Sequence, residues 1–301
     1  AAGAARGRGR EATLAAGLAV PGPDTGRSDA VRLQPRETLG RIGRPQADAL
    51  ERVMAMRRAL PPALAEAVRE PDSAAAVLCS LLLDPEADLR AAQLHAVERE
   101  AGPDAAARAQ ALYPLAATLP AAARLPLAEL AVLPLRGLPA ARRNALRALF
   151  RSLIEADAGI SLFEYMIERL VQRRLIGDGR PAAIRFYDLA PLAPEVGVLL
   201  STLAYYGETQ GAPAPRALAA GAARLRIPVS LLPPEACGLE AVDQALARLN
   251  GASPAVKKIV IEACLACAAA DGHTTVAEAE LLRAVADALE CPLPPFAADA
   301  A

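Results

Sequence analysis

An all-α fold, built as an array of short helical hairpins behind a disordered leader, is predicted by three observations. The chain is 53% hydrophobic yet only 3% aromatic and has no tryptophan, so Ala and Leu carry its apolar content. Both are strong helix formers, and β-branched runs are scarce. Its 26 prolines and 20 glycines separate stretches in which apolar residues recur at helical spacing. Finally, one acidic spacing occurs twice. Residues 142–171 read RRNALRALFRSLIEADAGISLFEYMIERLV, and residues 257–285 read KKIVIEACLACAAADGHTTVAEAELLRAV. Each has a basic entry, an apolar helical stretch, an Asp, a short break, and a Glu opening a second apolar helix. The pairs are Asp157 with Glu164 and Asp271 with Glu278.

The elements follow in order. Residues 1–44 are rich in Ala, Gly, Arg and Pro with little apolar periodicity, which predicts a flexible leader. A helix from Gln46 to Arg58 carries Leu50, Val53, Met54 and Met56. Pro61-Pro62 starts the next, since proline is tolerated in a first turn. Asp72-Ser73 would cap a helix through Leu83. Asp84-Pro85 opens another, with Leu89, Leu94 and Val97 inward and Gly102 at its end. Pro103-Asp104, Pro120 and Pro139 begin three more.

The first acidic hairpin spans 142–175 and the second 257–290, with Asp157 and Asp271 at equivalent turns. Leu146, Leu149, Phe150, Leu153 and Ile154 make one apolar stripe; Leu281, Leu282, Val285 and Leu289 make another. Each pair of helices closes to bury its stripes, leaving the acidic pair at an exposed elbow. Ile176 to Ala193 and Ile227 to Gly238 read as irregular connections, and the last helix stops before Pro292. The predicted organisation is a leader at 1–44, a helical domain at 45–176 and a second at 177–301.

Charge and motifs exclude several functions. With 33 basic and 34 acidic residues, the chain offers no global attraction for nucleic acid. The pairs Arg142-Arg143, Arg173-Arg174 and Lys257-Lys258 read as solvated helix faces. No apolar run is long enough to span a membrane, because Leu189 to Tyr206 is broken by Pro191, Pro194, Glu195 and Gly197. The two histidines, His95 and His273, form no His-Glu-x-x-His helix, and no G-x-S-x-G, P-loop or dinucleotide fingerprint occurs. His95 reads as a partly exposed structural residue. No catalytic, cofactor-binding or metal-ligating residue is assigned.

Cys264 and Cys267 form a C-x-x-C inside the apolar run Ile259 to Ala270. A redox pair belongs at a helix N-terminus, where the dipole lowers a thiol pKa, and a zinc site needs a second ligand pair. Core packing is the favoured reading. The acidic pairs carry two readings as well. Hard cations want several oxygens, and Asp271, Thr274, Thr275, Glu278 and Glu280 could share one loop. Alternatively, Thr275 with Glu278 and Ser161 with Glu164 have the S/T-x-x-E spacing of a capping box. Its recurrence in both copies favours capping.

The phrases EADAGISLFEYMIERLV and AAADGHTTVAEAELLRAVADAL resemble the helix, Asp-Gly turn, Glu, helix signature of TerB-like tellurite-resistance domains. The second copy matches better; the first has Ala158 before Gly159. A longer order of phrases is IGRPQADALERVMAMRRALPPALAEAVREPDSAAAVLCSLLLDPEADLRAAQL, then LFEYMIERLVQRRL, then EAELLRAVADALECPLPP. It resembles the C-terminal extension of bacterial HtpX-like membrane zinc metallopeptidases, from about Ile42 to Pro295.

The resemblance implies a helical regulatory or scaffold region, with zinc and membrane spans in a protease domain upstream of Ala1. Membrane association then comes through that upstream part. It also implies a protein partner, either that protease domain or another protein. No catalytic residue carries over, and the family's acidic turn positions map only onto Asp157, Glu164, Asp271 and Glu278. The alternative is a free-standing, cytoplasmic TerB-like adaptor or scaffold in a stress response.

Overall fold

The computed structural model describes residues 12–14, 18–20, 30–31, 58, 60–156, 160–176, 183–208, 213–272, 274–291 and 293. The expected helix at Gln46–Arg58 lies outside these apart from Arg58. All-α architecture holds: the described residues are dominated by helices, with β structure confined to pieces of two or three residues. Three such pieces fall where the sequence predicts only leader: β1 (Ala12–Leu14), β2 (Leu18–Val20) and β3 (Ala30–Val31). Strands β1 and β2 pair as an antiparallel hairpin with Ala12 opposite Val20.

The chain divides into two compact units. One comprises Gly40–Ala183 and Arg283–Ala297, the other Ala1–Leu39, Ile184–Leu282 and Ala298–Ala301. Each unit is discontinuous in sequence.

The first unit is built around α2 (Pro71–Leu82). Asp72 is the only charged residue in this helix, and Ala74, Val77 and Leu78 are fully buried. A helix apolar nearly all round must be central. It packs against α4 (Pro103–Ala117), α5 (Ala121–Leu135) and α6 (Ala140–Ile154). Its one buried hydroxyl is satisfied locally, Ser80 Oγ donating to Val77 O at 2.8 Å. The short α1 (Pro62–Ala67) adds Leu64 to the core. Phe150, Leu153 and Ile154 of α6 complete it, with Ile167 of α7 (Leu162–Val171) and Leu175 of the π-helical turn Gln172–Ile176.

Prolines mark the helix starts as predicted: Pro62 and Pro103 stand in first turns, and Pro120 and Pro139 are N-caps. The predicted Asp72-Ser73 cap is corrected. The helix already begins at Pro71, with Glu70 as N-cap and no side-chain cap bond. Asp84 does not start α3 (Ala87–Ala101) either; its carboxylate accepts from the Glu86 amide at 2.6 Å, a turn just ahead of the helix. Gly102, at φ 93°, ends α3 and caps α4, a left-handed position that favours glycine.

In the second unit α8 (Ala193–Glu208), α9 (Ala214–Ala222), α10 (Leu239–Asn250) and α11 (Pro254–Ala268) pack together. Closest approach is at Gly221, where an added Cβ would lie 2.9 Å from Ala263 O and 3.1 Å from Cys267 Cβ. The irregular Ile227–Gly238 stretch is tied to α8. Leu232 N donates to Ser201 Oγ at 3.0 Å, and Tyr205 Oη donates to Leu232 O at 2.7 Å. The other predicted irregular stretch is held by Gly251, whose carbonyl accepts from Arg185 N at 2.7 Å and Phe186 N at 3.1 Å. The last helix, α12 (Val276–Ala288), contains the division between the units.

Candidate functional site

Both acidic hairpins have the predicted helix–turn–helix order, each with a two-residue strand at the elbow. In the first, α6 leads to β4 (Ile160–Ser161) and then α7. In the second, α11 leads to β5 (Thr274–Thr275) and then α12. Each second helix starts one residue after its Ser or Thr. Ser161 and Thr275 therefore occupy N-cap positions, and Glu164 and Glu278 stand at N3, the register of a capping box.

The four acidic positions fare differently. Asp157 lies outside the described residues. Glu164 is half-buried in the first turn of α7, and Asp271 is half-buried in the turn after α11. Glu278 is 5% exposed. This corrects the expectation of an exposed elbow. Glu278 shares a helical stripe with Leu281, Leu282 and Val285, all buried, so the geometry that buries those residues also buries the carboxylate. Between Asp271 and Glu278, Gly272 adopts φ 81° with open space where a Cβ would stand. Glycine is favoured there by the backbone alone. Among the described residues no group of three or more His, Cys, Asp or Glu side chains is placed to hold a metal ion.

Cys264 and Cys267 are buried in α11, as the apolar run predicts. Burial pushes the Cys264 thiol up to about 12. Burial, then Cys264, then the Glu278 carboxylate push the Cys267 thiol up as well. Cys267 Sγ lies 3.6 Å from Leu200 O. Such thiols stay protonated at neutral pH and are poor nucleophiles. Cys79, in α2, is pushed up by burial to about 12.

The basic pairs are not simply solvated faces. Lys257 is 6% exposed and donates through Nζ to Asn250 Oδ1 at 2.7 Å. Arg173 and Arg174 each lie 3.0 Å from Asp287 Oδ1. The π-helical turn carries both of these consecutive residues to one carboxylate. Arg142 pairs with Asp72 across α6 and α2, and Arg143 Nη1 donates to Arg136 O at 3.2 Å. His95 is exposed, with Nδ1 3.6 Å from Glu98.

Sequence reasoning missed the principal buried polar ties. Gln93 is 4% exposed. Its Nε2 donates to Leu82 O and Leu153 O, both at 3.1 Å, and its Oε1 accepts from Asp84 N at 2.7 Å. One amide thus joins the ends of α2 and α6 to α3. Arg283, 6% exposed, donates through Nη2 to both carboxylate oxygens of Glu129 at 2.9 Å. Only a polar residue on an otherwise apolar stripe could have flagged either. No family model, curated protein or solved structure matches the chain.

Proposed function

We propose that this chain is a non-catalytic helical scaffold or regulatory region of a membrane zinc metallopeptidase of the HtpX-like kind, and that it binds protein. Its role is in substrate access or partner binding, and its partner is its own upstream protease domain or another protein. The support is the order of sequence phrases from about Ile42 to Pro295, together with two helix–turn–helix segments whose sequences resemble TerB-like domains. The observation that carries the non-catalytic part is how the chemistry-bearing side chains are used. Gln93, Arg283 and Lys257 are bound to neighbouring helices or helix ends. Cys264 is held protonated by burial. A group held this way supports shape rather than turnover.

In this reading zinc and the membrane spans belong to residues upstream of Ala1. Among the described residues no helix is long and apolar enough to cross a membrane. A second reading, a free-standing TerB-like adaptor in a stress response, rests on the two hairpins alone. The purified chain is expected to leave casein uncut. Casein turnover that persists through further purification and is abolished by a chelator would contradict the proposal.

A further inference from the structure

Basic and acidic residues balance over the whole chain, 33 against 34, but not locally. From Arg136 to Ile154 the sequence holds five arginines and no acidic residue. On α6, Arg143, Arg147 and Arg151 stand four apart and so share one face, over a rise of about 12 Å. Arg136, at the end of α5, adjoins them, since Arg143 Nη1 donates to its carbonyl at 3.2 Å. Arg142 is engaged by Asp72, and Arg151 by Glu155 at 2.9 Å. Among the described residues no carboxylate pairs with Arg136, Arg143 or Arg147. Arg147 donates only to the neutral Gln172 Oε1, at 3.2 Å, and Arg143 Nε is closed to solvent with no acceptor. Arg136 is exposed, and Leu133, one helical turn before it, is 48% exposed.

We propose that this arginine run is a docking face for an acidic segment of a partner protein. Unmatched cations gathered on one face of a near-neutral chain attract and orient carboxylates. Each guanidinium presents a planar fork of donors that matches a carboxylate. A helix with glutamates four apart repeats the α6 spacing, so it meets Arg143, Arg147 and Arg151 in register. Two observations favour protein over nucleic acid. Leu133 offers an apolar contact beside the charges. Glu155 and Glu168, next to Arg151, repel a continuous phosphate backbone, and the aromatic ring of α6, Phe150, is buried and offers no stacking face. This deepens the protein-binding reading above and rests on it. The assay below uses this chain alone, so it can fail while capture of the upstream domain succeeds, and the reverse.

The probe is a labelled, alanine-based helical peptide with glutamate at every fourth position, titrated with the full chain and followed by fluorescence anisotropy. The parent chain should bind it at low salt and release it as salt rises. The same peptide with glutamine in place of glutamate should not bind. Arg136→Gln/Arg143→Gln/Arg147→Gln should weaken binding at least roughly tenfold. Arg216→Gln/Arg224→Gln/Arg226→Gln removes equal charge from exposed arginines of the second unit and should change binding less than roughly twofold. Where the first triple variant melts well below the parent, Arg136→Gln and Arg147→Gln, both at exposed positions, are read singly and should each carry part of the loss. No binding of the acidic peptide by the parent, equal losses in the two triple variants, or tighter binding of a single-stranded oligonucleotide of equal charge would overturn the proposal.

Discussion

Gln93 illustrates how a single residue organises the first unit. Its amide satisfies one backbone donor and two backbone acceptors in a site almost closed to water. Gln93→Leu keeps the approximate volume but removes all three bonds, leaving the Asp84 amide and Leu82 O without them while Leu153 O keeps a 3.4 Å bond from Ala156 N. Urea unfolding should show a loss of about 2–4 kcal/mol, since each buried unsatisfied group costs about 1–3 kcal/mol and relaxation recovers part. A loss within the range of ordinary surface changes would mean the amide bonds are not formed in solution.

The cysteines give a second residue-scale expectation. Burial raises Cys264 and Cys79 from an ordinary value of 9.0 to about 12. A raised folded pKa means the native state holds protons that the unfolded chain releases. The stability these thiols carry is complete below about pH 9 and is lost as pH rises from there towards 12. Denaturation midpoints should fall across that window, and less steeply after Cys264→Ala. A thiol reagent at pH 8 should modify Cys264 and Cys267 only as the chain unfolds.

At the scale of elements, two glycines separate steric from conformational constraint. Gly221 has Ala263 O at 2.9 Å from a built Cβ, whereas Gly272 has open space but φ 81°. Gly221→Ala should cost about 1–3 kcal/mol through overpacking, despite the helix propensity it gains. Gly272→Ala should cost only about 1–2 kcal/mol, the penalty of a left-handed L-residue. Thermal melts of the two variants check this; a silent Gly221→Ala would contradict the close approach of α9 and α11.

Glu278→Gln tests the turn itself. If the side chain only serves a capping box, the amide can replace it at well under about 1 kcal/mol, and calcium or magnesium leaves the melting temperature unchanged. A metal-dependent rise that Glu278→Gln removes would establish an ion site.

Helix positions were legible because prolines and apolar periodicity both act locally. Pro103, Pro120 and Pro139 mark real starts, and the stripe from Leu146 to Ile154 is buried. The buried state of Glu278 was also written in that periodicity, since it falls in step with Leu281, Leu282 and Val285. Other features depend on distant partners and left no local trace. Pro126 and Pro134 lie inside α5, where packing against α2 outweighs lost backbone bonds. The π-helical turn at 172–176 and the pairing of Ala30 with Thr275 likewise depend on neighbours remote in sequence.

At the scale of the whole molecule, the all-α composition was legible because Ala and Leu dominate the apolar residues. Function was not, because the buried polar groups serve packing and the acidic pairs fit the spacing of helix caps. The central proposal is that this chain is the helical, protein-binding part of a membrane zinc metallopeptidase. Sequencing the transcript upstream of the Ala1 codon tests it most directly. The account predicts an in-frame His-Glu-x-x-His helix with flanking apolar spans long enough to cross a membrane. An open reading frame without them would contradict the attachment and leave the free-standing adaptor.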